Sequence, residues 1–150
     1  MKTSQNGVDF VCSWESFAAR VYPDSKGVST IGFGHAMFHG VTVTSPITLE
    51  QGKALLAQDL GFAEHAVSTL VNAALSQNQF DALVSFTFNC GVGNFQSSTL
   101  LKLLNANDTD GAAGQFQKWD RCAGVELAGL LHRRQAEANV FAQNQYTYTH

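Results

Sequence analysis

Residues 28–45, VSTIGFGHAMFHGVTVTS, are rich in Thr, Val, Ile and Gly, and nearly everything after them is patterned for helices. β-Branched residues suit a pleated, half-buried surface, and glycines break it into short runs. The stretch therefore predicts a small antiparallel sheet of two or three short strands, with alternation in GVTVTS and glycines 27, 32, 34 and 40 at bends. Before it, Ser4 to about Arg20 reads as a first helix, with Val8, Val11 and Cys12 at i, i+3, i+4; Pro23 and Lys26-Gly27 then break the chain. After it, Thr48-Leu-Glu-Gln51 is a capping box, in which each end residue's side chain bonds the other's amide. The helix it opens runs to about Ala73 or Ala74, with Leu55, Leu56, Leu60, Ala63, Val67 and Leu70 on one face. Ser76-Gln-Asn-Gln79 opens another, with Phe80, Leu83, Val84 and Phe88 at core spacing, which Asn89-Cys-Gly-Val-Gly93 interrupts. Ser98 or Ser97 caps Thr99–Asn105, Asp110 caps a short helix through Trp119, and GLLHRRQAEANVFA makes the last one. The tail QNQYTYTH is expected to fray. One helix, a small sheet and five more helices make an α+β chain in which helices dominate. No repeat or linker divides it, so residues 1–150 read as one domain.

With 45% hydrophobic and 11% aromatic residues, the chain can build a real core. Its formal charge of −3 argues against nucleic acid as a partner and gives no long-range attraction to anionic membranes or cell walls. No run reaches the ~18 apolar residues of a membrane helix. MKTSQNGVDF has one lysine and no apolar core, so cytoplasmic synthesis without secretion is expected. Cys12, Cys90 and Cys122 lack the close spacing of a zinc or redox site and read as buried free thiols. His35 and His39 would suit a metal at i, i+4 only on a helix, and GFGHAMFHG does not read as one. Neither metal nor cofactor is expected.

Against this low charge (14% of residues), WESFAARVYPDSKGVSTIGFGH stands out, because Glu15 sits alone between Trp14 and Phe17 and Asp24 follows nine residues later. Glycosidic cleavage needs one carboxyl to protonate the leaving oxygen and a second, ionised, to activate water or stabilise positive charge. The two need different environments. Glu15 at a helix end among apolar neighbours suits the first role. Asp24 on a Pro-Asp-Ser-Lys turn suits the second, with Thr30 able to bond a water that Asp24 holds. Spacing alone favours the plainer reading of two scattered surface charges.

The spacing Glu15, Asp24, Thr30 followed by IGFGH resembles the active-site segment of phage-type lysozymes, the endolysins of glycoside hydrolase family 24. Two further blocks are similar in the same order, QNQFDALVSFTFNCGVGNFQSSTLL at 77–101 and GLLHRRQAE at 129–137, so about residues 5–142 are covered. The resemblance implies a lysozyme-like fold, with a β-lobe over about 21–47, a helical lobe over about 49–143 joined by the N-terminal helix, and a cleft between them. It implies hydrolysis of the β-1,4 bond between N-acetylmuramic acid and N-acetylglucosamine in peptidoglycan, without cofactor or metal. Glu15 is similar to the family's general acid, Asp24 to its second carboxylate, and Thr30 to the residue that positions the water, an arrangement associated with inversion.

By the same resemblance Phe88, Asn89 and Gly91 line the cleft, Asp59 partners His35, and Arg133 lies against the acid. Read from the residues alone, Phe88 is as good a core residue, and Arg133 and Arg134 are surface charges of a last helix. One departure is Ser16, where the family often has glycine. The expected partners are peptidoglycan glycan strands. The enzyme is expected as a monomer that gathers in the host cytoplasm and reaches the periplasm and wall after holin-dependent release. Rival readings are a lytic transglycosylase, which needs only the Glu, and a non-catalytic wall-binding or virion component.

Overall fold

The computed structural model describes residues 1–37, 43–122, 125–126 and 128–149, and the side chains of 121–127 are outside that description. The first helix, α1 (Gln5–Trp14), starts where the Ser4 hydroxyl accepts from the Gly7 amide. It stops earlier than expected, because Glu15 turns to an extended backbone (φ −108°, ψ 144°). Ala18-Ala19-Arg20 are good helix formers, yet they enter strand β1 (Ala18–Pro23), which pairs antiparallel with β2 (Ser29–Gly32). Pairing in the sheet overrides local propensity there. Strand β3 (His35–Ala36) completes the order β1-β2-β3. The β-lobe thus begins at Ala18 rather than near residue 21. The bends at Gly27, Gly32 and Gly34 all have positive φ, as expected. His39 and the first half of GVTVTS, Gly40 included, lie outside the described residues, while Val43 and Thr44 are not in a strand.

Between the pairs Ala18↔Gly32 and Tyr22↔Thr30 the ladder is irregular, with β1 advancing four residues while β2 advances two. Such bulges re-aim the strand that carries them. Here the irregularity lies just ahead of Asp24.

The capping box at Thr48 opens α2 (Leu49–Asp59) as expected. The single long helix is in fact two, since the chain bends at Leu60 (ψ −14°) and α3 (Gly61–Leu70) follows. The bend lets Leu56 and Leu60, then Ala63 and Val67, all stay buried. Gly52 lets α2 approach the sheet closely: a Cβ there would stand 2.7 Å from Cε2 of Phe17.

Helix α4 (Gln77–Cys90), opened by the capping box at Ser76, is the centre of the molecule. Every residue from Phe80 to Thr87 is buried, so the helix is covered on all sides by α1, α3, α5 and α8. Phe86 gathers Phe95, Phe116 and Trp119 edge-on at centroid distances of 5.5–6.3 Å. Burying each such ring is worth ~1.5–3 kcal/mol.

Gly91 ends α4 at φ 91°, ψ 151°, a conformation essentially confined to glycine. Helix α5 (Val92–Ser97), which the sequence pattern did not suggest, follows at once. Ser98 caps α6 (Thr99–Asn105) as expected. The next cap is Asp108 rather than Asp110, because the Asp108 carboxylate accepts from the Gly111 amide at 2.9 Å. It opens α7 (Thr109–Ala113), and a 3-10 turn (Phe116–Lys118) follows. A two-stranded pairing of β4 (Arg121–Cys122) with β5 (Val125–Glu126), also unforeseen, leads into α8 (Ala128–Gln143).

The tail does not fray. Tyr146 donates to Asp81 at 2.8 Å and packs edge-on against Phe10, and Tyr148 stacks on Tyr146. Asp81 also receives the Ser4 amide at 3.0 Å and the Ser4 hydroxyl, so one buried carboxylate holds both ends of the described chain. Burial raises the Tyr146 phenol far above its ordinary pKa, and its bond to Asp81 adds to that.

Candidate active site

Where α1 gives way to the sheet, Glu15 follows the helix end with its side chain 28% exposed. Its Oε1 accepts from Nη1 of Arg133 at 2.8 Å, a contact 118 residues apart in sequence. Arg133 is itself buried and gives its Nε to Oε1 of Glu137 at 3.3 Å. Glu137 is fully buried, and the same Oε1 receives Nη2 of Arg134 (3.1 Å) and the Ser85 hydroxyl (2.7 Å). Nε of Arg134 lies 3.0 Å from Oε2 of Glu137.

Two guanidiniums thus share one carboxylate, so no charge of the cluster is buried without a counter-charge. Removing the fully buried Glu137 would leave such a charge, which is strongly destabilising. Nη2 of Arg133 remains a buried donor without a hydrogen-bond partner.

Arg134, expected on the surface, has no exposed area. It donates Nη1 to Sγ of Cys90 (2.6 Å) and Nη2 to Oδ1 of Asn89 (2.9 Å), and its guanidinium lies over the Phe86 ring, 5.1 Å from the centroid. Through these contacts the last helix fixes the end of α4. Asn89 is exposed, Phe88 is half-buried against Phe62 at 5.9 Å, and Gly91 follows at the helix end. Cys12 and Cys90 are free thiols. Burial raises the Cys12 pKa to about 11 against the pull of Lys53, and raises that of Cys90 against the pull of Arg134. Both are free as expected, but only Cys12 is buried, for Cys90 is half-buried, and the Cys122 side chain lies outside the described residues.

On the sheet side, Asp24 immediately follows β1. Its Oδ1 accepts the amides of Lys26 and Val28, each at 2.8 Å. Its backbone closes the turn by donating to the Val28 carbonyl and accepting from the Gly27 amide, both at 2.9 Å. Thr30 is buried in β2, and its hydroxyl donates to the Val28 carbonyl at 2.9 Å, leaving the oxygen's lone pairs as acceptors. Val28 therefore ties Asp24 and Thr30 to one peptide. His35 in β3 meets Asp59 at the end of α2, with Nδ1 2.9 and 3.0 Å from the two oxygens, so this partnership joins the sheet to the helices. Ser16 is exposed beyond the end of α1, where it changes no helix packing.

Sequence reasoning passed over Glu137 and Ser85. The signal for Glu137 was present: two arginines three and four residues before one glutamate lie on the same helical face. Among the described residues no group of three or more His, Cys, Asp or Glu is placed to hold a metal ion.

The family model described as phage lysozyme matches residues 12–137. The chain belongs to the phage lysozyme family. It is 40% identical to the endolysin of Salmonella phage P22 over 144 residues, covering 94% of this chain and 98% of that one. It is 36% identical to the endolysin of Acyrthosiphon pisum secondary endosymbiont phage 1, over 94% of this chain and 98% of that protein. The solved endolysin from Escherichia coli O157:H7 phage FAHEc1 superposes with a TM-score of 0.85 at 35% identity, covering 98% of this chain and 97% of that one. The fold is that of a phage lysozyme, a small sheet beside a helical body, and the protein is an enzyme of the endolysin class with lysozyme activity. The transglycosylase and non-catalytic readings are not favoured.

Proposed function

We propose that this phage lysozyme hydrolyses the β-1,4 bond between N-acetylmuramic acid and N-acetylglucosamine, with Glu15 protonating the leaving oxygen and Asp24 and Thr30 presenting the attacking water. The observation that carries the reading is the Arg133–Glu15 contact at 2.8 Å, anchored from behind by buried Glu137. One guanidinium N–H, on a side chain whose Nε is fixed by Glu137, holds the acid through a single directional bond, and proton delivery to one oxygen requires such orientation. Asp24 spends Oδ1 on two backbone amides, which fixes its plane, and Oδ2 takes neither of these bonds. Thr30, tied to the same Val28 carbonyl, supplies an acceptor beside it for a water proton. Phe88, Asn89 and Gly91 form the helical wall along which the glycan lies, and His35–Asp59 and Arg133 support the two sides. Water delivered opposite the leaving group inverts the sugar carbon.

The physiological substrate on this reading is the glycan strand of peptidoglycan, attacked by a monomer. No helix among the described residues is long and apolar enough to cross a membrane. Synthesis in the host cytoplasm and holin-dependent passage to the wall follow on this reading. Mass spectrometry of muropeptides released from purified sacculi tests the chemistry. Products carrying one added water and a reducing N-acetylmuramic acid end are expected, and anhydro products would overturn the hydrolytic assignment.

A further inference from the structure

Phe62 is 50% exposed, although the helix that carries it already has an apolar face in the core. Ala63, Ala66 and Val67 are buried on α3, so its packing does not require a second large aromatic facing outward. One exposed ring alone would need no explanation, but this one is joined to a second, half-buried ring, Phe88. Its position is specific. Phe62 lies just past the bend at Leu60, three residues after Asp59, the residue that reaches His35 in the sheet. On its other side the ring rests against Phe88 at a centroid distance of 5.9 Å, with the planes tilted by 31°. Phe88 is chained in turn to the acid: Asn89, the next residue, is held by Arg134, Arg134 by Glu137, Glu137 by Arg133, and Arg133 grips Glu15.

We propose that Phe62 and Phe88 form a continuous aromatic shelf on the helical wall of the cleft, and that Phe62 is a positioning residue that binds an N-acetyl sugar unit remote from the bond being cleaved. The inference rests on the reading above, that the wall beside Asn89 carries the glycan. A flat aromatic face suits this ligand class, because a pyranose ring presents axial C–H bonds and the acetamido group presents a methyl, both of which gain by leaving water against a ring. The hydroxyls of the same sugar keep their hydrogen bonds to solvent at the open edge of the shelf. Phe62 touches no reacting atom. Its contribution is uniform binding, which lowers KM and leaves kcat unchanged.

The test compares wild type with Phe62→Ala, Phe62→Leu and Phe62→Tyr on soluble, uncrosslinked peptidoglycan strands, following new reducing ends. Phe62→Ala should raise KM about tenfold with kcat within about twofold, the size expected for losing one aromatic contact. Phe62→Leu, which keeps apolar bulk against Phe88 without a flat face, should also raise KM, and Phe62→Tyr should restore it. Unchanged KM in the alanine and leucine variants overturns the shelf, as does a fall in kcat that tyrosine fails to rescue. A wild-type dimer in sedimentation that Phe62→Ala dissolves would assign the ring to a second copy of the chain instead. Wild type that releases no reducing ends at all would overturn the glycan reading itself, and the shelf with it.

Discussion

The two carboxylates of the candidate site are held in opposite ways. Glu15 is held by a side chain 118 residues away, backed by a buried cluster that draws on α4 and α8. Asp24 is held by amides two and four residues away in its own turn. The first geometry exists only when the whole helical body has closed, whereas the second is built into a short segment. A far-off change in the core can therefore misplace Glu15 while leaving Asp24 as it was. The sheet side is robust to the core and sensitive only to its own turn.

The sharpest way to test this contrast is to remove the chemistry without the contacts. Glu15→Gln should lower kcat by ~10²–10⁴-fold or more with the fold intact, since the amide can still face Arg133 but cannot donate the proton. Asp24→Asn should also be severely impaired. Near-full activity in either variant, measured as reducing-end release, would remove that residue from the mechanism. Next comes Glu137→Ala, which leaves two buried guanidiniums without their shared counter-charge and should cost about 3–5 kcal/mol in denaturant unfolding. It should also lower kcat by loosening Arg133, even though Glu137 touches no substrate.

The two arginines should then separate. Arg133→Lys cannot hold Glu15 and Glu137 at once through separate guanidinium nitrogens and should reduce activity more than Arg134→Lys, while Arg134→Lys, at the fully buried position, should cost more stability. Equal profiles would mean the cluster acts as one block rather than as a chain ending on the acid.

The smallest effect lies outside the site, in another carboxylate held from afar. Burial would raise the pKa of Glu64, but the Lys2 ammonium and the Thr3 amide and hydroxyl outweigh it and hold the carboxyl below its ordinary value. A depressed carboxyl stabilises the fold above its unfolded pKa of ~4.3, and that contribution is lost as pH falls through the lower folded value. Glu64→Gln should therefore lower Tm at pH 7 and have little effect near pH 2. An equal loss at both would show that packing, not charge, fixes the N-terminal segment.

Much of the fold was legible because its signals are local. The capping boxes at Thr48 and Ser76 and the cap at Ser98 stand where their side chains say they should, since a cap needs only residues three apart. The start of β1 was not legible, because Ala18-Ala19-Arg20 become a strand only when β2 lies beside them. The bend at Leu60 and the docking of Tyr146 likewise depend on distant partners. At the site, Glu15, Asp24, Thr30 and the RR-x-x-E block were visible as a pattern, but the burial of Arg134 and Glu137 was not. On α8 the inward stripe is Arg133, Arg134, Glu137, Val140 and Phe141, so its first half is charged. Any rule that sends charges to water turns that helix the wrong way round, and only the mutual neutralisation of the cluster explains why it faces in.

The clasp at Asp81 has a consequence for how this molecule comes apart. Ser4 near one end and Tyr146 near the other bind the same carboxylate, on the helix that every other part of the core surrounds. Fraying at either end leaves this buried carboxylate with fewer donors and so weakens its hold on the other, which couples the amide-hydrogen exchange of the two ends.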